Sequence, residues 1–118
     1  MTKKIEFIDF ERIMLCDISK KNNHCIEIAF CVDDSDEFQD SWMGKMLDAD
    51  TKKPVFWLGL TPDGSQAYDF NTYSAFINAK FFRGKSICQI WDSISIYSLD
   101  GGLVEEMLPF YSEQEQKY

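Results

Sequence analysis

The sequence offers few side chains for nucleophilic catalysis. His24 is its only histidine, so a serine or cysteine nucleophile activated by an imidazole would have to use it. The neighbouring Cys25 does not help, because adjacent residues on a strand point to opposite faces. The G-x-S-x-G pattern of a nucleophile elbow is also absent. An enzyme would need an unfamiliar site in which His24, Asp63 and Asp69 converge, and the sequence predicts that the protein is not an enzyme.

Metal sites and cofactors are not predicted either. The four cysteines, at positions 16, 25, 31 and 88, never form the C-x-x-C spacing of zinc sites. We expect these cysteines to behave as small, buried apolar residues. Carboxylates alternate at Asp34/Asp36 and Asp48/Asp50 as they do in calcium loops. Phe38, however, stands where the first of these loops would need its next oxygen ligand.

Gly84-Lys85-Ser86 matches the end of the phosphate-binding Walker A pattern. Ala79 stands where that pattern requires a glycine, and the preceding residues have helical spacing where a strand would be needed. We interpret the segment structurally: Gly84 ends one helix and Ser86 caps the next.

Acidic residues are concentrated around a predicted strand at 41–47. The formal net charge of the chain is −8 at pH 7, and residues 33–50 contain seven acids and a single base, Lys45. Direct nucleic-acid binding is disfavoured, because neutralising phosphates requires clustered Lys and Arg. An acidic surface with a tryptophan suits a basic protein partner, since charge speeds the encounter and the aromatic side chain anchors it. The predicted partner-binding residues are Asp33, Asp34, Asp36, Glu37, Phe38, Asp40, Trp42, Asp48 and Asp50.

In size, acidity and lack of a catalytic motif, the chain resembles small antagonist proteins. These include immunity proteins that block basic nuclease toxins and acidic phage proteins that mimic nucleic acid. The resemblance covers those general properties and no motif, and it implies a non-enzymatic inhibitor of a basic, nucleic-acid-handling protein.

The alternative function is that of a small-ligand-binding domain. The chain is rich in aromatic residues, with ten Phe, five Tyr and three Trp, and some of these could line a pocket between sheet and helices. The candidates for such a pocket are Trp57, Tyr68, Tyr73 and Trp91. Aromatic side chains at strand or helix spacing more often belong to the core.

These residues must be positioned by a β-hairpin at the middle of the chain. Thr61-Pro62-Asp63-Gly64 has the composition of a tight turn followed by a left-handed glycine. Both faces of the preceding strand, 55–60, are apolar, so we expect it to be covered on both sides, with Trp57 buried. The following strand, 65–70, alternates as a half-exposed strand does.

Periodicity predicts the other elements. Alternation predicts strands at 25–32, 41–47 and 95–99, and helical spacing predicts helices at 9–20, from Asn71 to Phe81, and from Ser86 to Ile94. Ser86 and Gln89 also match a capping box. Residues 4–8 fit either a strand or a helix, and residues 103–108 can form one or two helical turns before Pro109.

Together these elements predict a single α+β domain over residues 1–111. Its antiparallel meander of four to five strands is packed on one face by two to three helices. Residues 112–118 are polar, and we expect a disordered tail. The start of the chain lacks the apolar stretch of a signal peptide, and no run reaches membrane-spanning length, so a cytoplasmic location without membrane contact is predicted.

Overall fold

The computed structural model describes residues 2–21 and 24–116, and side chains as far as Tyr111. The strands are β1 (Cys25–Val32), β2 (Ser41–Leu47), β3 (Pro54–Gly59), β4 (Ala67–Phe70) and β5 (Ile94–Leu99). They form one five-stranded antiparallel sheet in the order β4-β3-β2-β1-β5. The first four strands follow one another as a meander, and β5 pairs with the remaining side of β1. The predicted α+β class is confirmed.

The helices pack against one face of this sheet. Within the described part of the chain they are α1 (Phe7–Leu15), α2 (Tyr73–Asn78) and α3 (Val104–Gln116). α2 packs on β3 and β4, and α3 packs on β5 and α1. The strands contribute side chains such as Ile28, Met43 and Leu58 to the same core as the helices. Because alternate residues of a strand point to opposite faces, the core uses one face of each strand.

The predicted helix at 9–20 divides into α1 and a 3-10 turn at Ile18–Lys20. Lys45 of β2 donates hydrogen bonds from Nζ to the carbonyl oxygens of Met14 (2.8 Å) and Cys16 (2.9 Å). Carbonyls at the end of a helix lack partners within it. The ammonium group of Lys45 supplies those partners, and its burial lowers the pKa of Lys45.

The predicted helix from Ser86 to Ile94 is wrong, although its start forms as expected. The Ser86 amide donates to Oε1 of Gln89 (2.9 Å), and the Gln89 amide donates to Oγ of Ser86 (3.3 Å). The chain then makes turns and a 3-10 helix at Trp91–Ser93. Ile94, the last residue of the helical pattern, pairs with Val32 as the first residue of β5. Ile94, which would have completed the helix, therefore belongs to strand β5.

α2 is shorter than the predicted helix, and its cap is one residue further along. Thr72, and not Asn71, is the N-cap, and its Oγ1 accepts a hydrogen bond from the amide of Ala75 at 3.1 Å. Phe81 lies beyond the end of α2 and stacks on Tyr68, with ring centroids 4.1 Å apart.

The central hairpin has the predicted turn. Gly64 has a φ of +77°, and its amide donates to the carbonyl of Thr61 at 3.2 Å. The prediction that β3 is covered on both sides is wrong: Phe56 and Leu58 are buried, but Trp57 is only half-buried. The physical reason is that the helices lie on the Phe56 side of the sheet, where α2 supplies an aromatic partner.

A polar cluster attaches α3 to the sheet. Nζ of Lys21 lies 3.1 Å from the hydroxyl of Tyr111 and 3.3 Å from Oδ2 of Asp100, and Tyr111 donates a hydrogen bond to the same carboxylate. α3 continues past Pro109, where we expected a stop. It extends through Gln116, into the segment for which a tail was predicted. Residues 117 and 118 lie outside the described residues, and the disorder of 112–118 stays a prediction.

The N-terminal segment adds one bridge to the edge of the sheet. Lys3 exchanges two backbone hydrogen bonds of 2.8 Å with Ile96 of β5. The chain then enters α1 at Phe7, so residues 4–8 contribute to a helix start. No helix in the described ranges combines the length and apolarity needed to cross a bilayer.

Candidate functional site: the open face of the sheet

The face of the sheet turned away from the helices exposes large apolar side chains. We call it the open face; its residues are Cys25, Glu27, Ala29 and Cys31 of β1, Trp42, Gly44 and Met46 of β2, Val55, Trp57 and Gly59 of β3, Ala67 and Asp69 of β4, and Ser95, Tyr97 and Ser98 of β5. Trp42, Met46 and Tyr97 are 38%, 47% and 38% exposed. An antiparallel sheet with one solvated face is usually polar on that face. The open face is therefore the candidate site.

One row of the open face crosses four strands and contains Asp69, Trp57, Gly44 and Glu27. The register pairs Asp69 with Trp57, Trp57 with Gly44, and Gly44 with Glu27. A Cβ atom on Gly44 would lie only 2.7 Å from Cζ2 and 2.9 Å from Cε2 of Trp57. The indole therefore lies across β2, over the position of the missing side chain, and extends from β3 toward β1. We call these four residues the Trp57 row.

A groove of about 660 Å³ adjoins the Trp57 row where β1 begins and β2 ends. Side chains of the open face and of two loops line it, among them Trp57, Glu27, Met46, Cys25, His24, Asp48 and Lys52. His24 and Lys52 both have left-handed backbones, with φ of 53° and 59°. Non-glycine residues seldom adopt this conformation. His24, the only imidazole that could have activated a nucleophile, is thus a residue of the groove wall.

Tyr97 connects the open face with the acidic loop, by which we mean residues 33–40. A hydrogen bond with Cys31 raises the pKa of Tyr97, and the carboxylates of Asp40 and Asp33 add to this effect. Asp33 is itself held in place: Lys4 and Ser95 both donate hydrogen bonds to its carboxylate and lower the pKa of Asp33. Asp40 therefore adds negative charge near Tyr97, whereas Lys4 offsets the charge of Asp33.

The predicted partner-binding residues of the acidic loop do not all face solvent. Phe38 is 4% exposed and packs against Phe82, with ring centroids 5.1 Å apart. Its place is in the core, and a contact with a partner would need a different residue. Glu37 forms an ion pair with Arg83 at 3.0 Å.

The two acidic segments named in the sequence lie at opposite ends of β2. The acidic loop precedes this seven-residue strand, and Asp48 and Asp50 follow it, so about 20 Å of extended chain separates them. Oδ1 of Asp48 accepts hydrogen bonds of 2.9 Å from the amides of Asp50 and Thr51, which lower the pKa of Asp48. The carboxylates do not form one patch, and Asp48 organises its own turn.

The four residues of the predicted ligand pocket are not brought together. Trp57 lies on the open face, whereas Tyr68 lies on the opposite face of the sheet, where it stacks on Phe81. The hydroxyl of Tyr73 donates to Glu11 at 2.9 Å, and burial together with this bond raises the pKa of Tyr73. Trp91 packs on the ring of Phe10 at 4.5 Å and donates from Nε1 to the carbonyl of Ile5 at 2.9 Å.

The residues of the hypothetical catalytic cleft are also separated. Asp63 lies in the β3–β4 turn, where the Ser65 amide donates to it at 2.9 Å and, with the Thr61 hydroxyl, lowers the pKa of Asp63 to about 2. His24 lies at the opposite end of the sheet, before β1. Within the described ranges, no group of three His, Cys, Asp or Glu side chains could hold a metal ion.

Sequence reasoning missed most of the open face. The alternation in 25–32 already placed Glu27 opposite the buried Ile26 and Ile28, but no signal told which face the helices would cover. Gly44 lies within the predicted strand 41–47, and its pairing with Trp57 becomes visible only through the register. Comparisons of the chain with protein-family models, with curated proteins and with solved structures found no match.

Proposed function

We propose that the protein is a non-enzymatic binding module that docks a positively charged protein on the open face of its sheet. The observation that carries the proposal is the exposure of Trp42, Met46 and Tyr97 on a face that no described helix covers. Aromatic residues and methionine are enriched where proteins meet, and an exposed apolar patch marks such a surface.

The sign of the partner follows from the charges on and beside this face. The open-face positions of the five strands include Glu27 and Asp69 and neither a lysine nor an arginine. In the acidic loop, Asp34, Asp36 and Asp40 form no ion pair with another described residue. Uncompensated carboxylates around an apolar centre attract a basic protein and repel an acidic one.

A module of this kind can act as an antagonist. A basic protein that handles nucleic acid binds phosphates through clustered Lys and Arg. An acidic surface with aromatic anchors can occupy such a cluster and block it, as the resemblance to immunity-type inhibitors implies. This role needs shape and charge but no catalytic group.

Photo-crosslinking tests the proposal. A benzophenone amino acid in place of Met46 should crosslink a protein from the source cells, and the same residue in place of Ile8 should not. Ile8 is a suitable control because it is 59% exposed on α1 and lies outside the open face. The crosslinked protein is then identified, purified and measured for net charge and affinity.

The expected partner has a positive net charge, and Trp42→Ser should weaken its binding at least tenfold. A partner of negative charge, a partner captured equally well from position 8, or an affinity unchanged by Trp42→Ser would contradict the proposal.

A further inference from the structure

We infer that the Trp57 row holds an arginine side chain of this partner, with the guanidinium group stacked on the indole and paired with Glu27. The inference rests on the proposed function and specifies where on the open face a positive charge of the partner binds. It follows from the one arrangement on this face that combines an aromatic plane, carboxylates and an adjoining groove.

The indole of Trp57 packs closely on the backbone of β2. Its Cζ2 atom lies so near Gly44 that even a methyl group there would stand 2.7 Å from it. Trp57 is half-buried as a result. An aromatic ring packed against a sheet is already ordered, so a ligand that stacks on it does not have to immobilise it.

The charges at the two sides of the indole are both negative. Glu27 of β1 is the cross-strand partner of Gly44, and Asp69 of β4 is the cross-strand partner of Trp57. A cation within about 6 Å of an indole centroid is attracted by the ring, and tryptophan is the best of the aromatic side chains for this contact. A carboxylate beside the ring adds an ion pair to the same cation.

Arginine fits this arrangement better than lysine. Its planar guanidinium group stacks on an aromatic face and can pair with a carboxylate through two N–H groups at once, whereas an ammonium group acts as a point charge. The groove next to the row has apolar walls at Met46 and Cys25. These walls can receive the methylene stem of the side chain.

Lys52 is the lysine among the residues that line the groove, and Asp48 lines it as well. Lys52 faces Asp48, whose pKa is lowered by the amides of Thr51 and Asp50 first and by Lys52 to a smaller extent. The positive charge of Lys52 therefore has the carboxylate of Asp48 near it. Glu27 remains as the carboxylate next to the indole.

The test uses two small probes, N-acetyl-arginine methylamide and its neutral isostere N-acetyl-citrulline methylamide. Amide NMR spectra of the full chain are recorded during titration with each, and Trp57→Phe identifies the indole N–H signal. We expect saturable shifts of the Trp57 indole and the Gly44 amide with the arginine probe, at a dissociation constant on the order of 10 mM. The citrulline probe should bind about tenfold more weakly.

Glu27→Gln should weaken the arginine probe about threefold or more, and the matched variant Asp36→Asn in the acidic loop should leave it unchanged. Equal shifts from both probes, shifts confined to other residues, or an equal effect of the two variants would overturn the inference.

The outcome separates the two proposals. If a basic partner crosslinks at position 46 but binds Glu27→Gln as tightly as the natural protein, only the arginine site fails. If the arginine probe binds as expected and no basic partner crosslinks, only the proposed function fails.

Discussion

The same strands form both faces of the sheet, but the helices bury one face and leave large apolar side chains of the other exposed to solvent. On the covered face Leu58 and Met43 are fully buried, and the charged Lys45 is satisfied by two carbonyl groups. On the open face Trp42 and Met46 keep 38% and 47% of their surface in solvent. The chain on its own thus completes one apolar face, and we infer that a partner completes the other.

The largest effect that this comparison predicts is on stability. Leu58→Ala should lower the free energy of unfolding by about 2–5 kcal/mol, because it leaves a cavity in the covered face. Met46→Ala on the open face should lower it by less than about 1 kcal/mol, since solvent already reaches that side chain. Urea unfolding followed by circular dichroism measures both, and similar losses would remove the distinction between the faces.

A second contrast lies within the open face, between two glycines. Gly44→Ala should cost about 1–3 kcal/mol, because the added methyl group collides with Trp57 and with the carbonyl oxygen of Ile26. Gly59→Ala is the matched control: its nearest neighbour, the carbonyl oxygen of Trp42, would lie 3.8 Å away. This variant should be neutral or stabilising by up to about 1 kcal/mol.

Thermal and urea unfolding of both glycine variants measure these changes in the free energy of unfolding. Equal costs at positions 44 and 59 would show that the space beside Gly44 is not closed by Ile26 and Trp57 as described.

On the covered face, Lys45→Met should cost about 1–3 kcal/mol at pH 7, because it leaves the carbonyls of Met14 and Cys16 without a donor. The folded pKa of Lys45 is lowered by burial, so above that pKa and below the unfolded value near 10.5 the unfolded chain binds more protons. Lys45 therefore makes stability rise with pH in that window, and the Lys45→Met variant should lack this contribution. Urea midpoints of both proteins between pH 8 and pH 10 check the sign, which a steeper rise in the variant would contradict.

The smallest effect concerns Asp63 in the exposed hairpin turn. Its folded pKa is about 2, lowered by the Ser65 amide and the Thr61 hydroxyl, and the unfolded value is near 3.8. The stabilisation is complete above the unfolded pKa and is lost as pH falls toward 2. An NMR titration of the carboxyl carbon should show this midpoint, and Thr61→Ala should raise it. A midpoint at the ordinary value would contradict the turn geometry.

Much of the fold could be predicted because strand periodicity and turn chemistry are local. Alternation in 25–32 and 41–47 defines β1 and β2, and Thr61-Pro62-Asp63-Gly64 defines the turn between β3 and β4. The helix predicted after Ser86 failed for a non-local reason. Its capping box forms, but Ile94 pairs with Val32, a partner that is distant in the sequence.

Little of the candidate site was predictable from the sequence. Trp42 was correctly placed on the surface, but Phe38 is buried, and the acidic segments before and after β2 lie at opposite ends of that strand. Which face of a two-sided apolar strand is covered depends on where the helices pack. For that reason Trp57 was expected in the core, and Glu27 and Asp69 were not considered as its neighbours.

The central claim is that the open face binds a positively charged protein, and paired surface variants test it most directly. The affinity of the crosslinked, purified partner is measured by calorimetry for Trp42→Ser/Met46→Ser and for Ile8→Ser/Leu15→Ser, which removes apolar side chains from α1 that are even more exposed. We expect the open-face pair to weaken binding at least tenfold, and the α1 pair to change it less than twofold. Equal losses, or a larger loss from the α1 pair, would contradict the account.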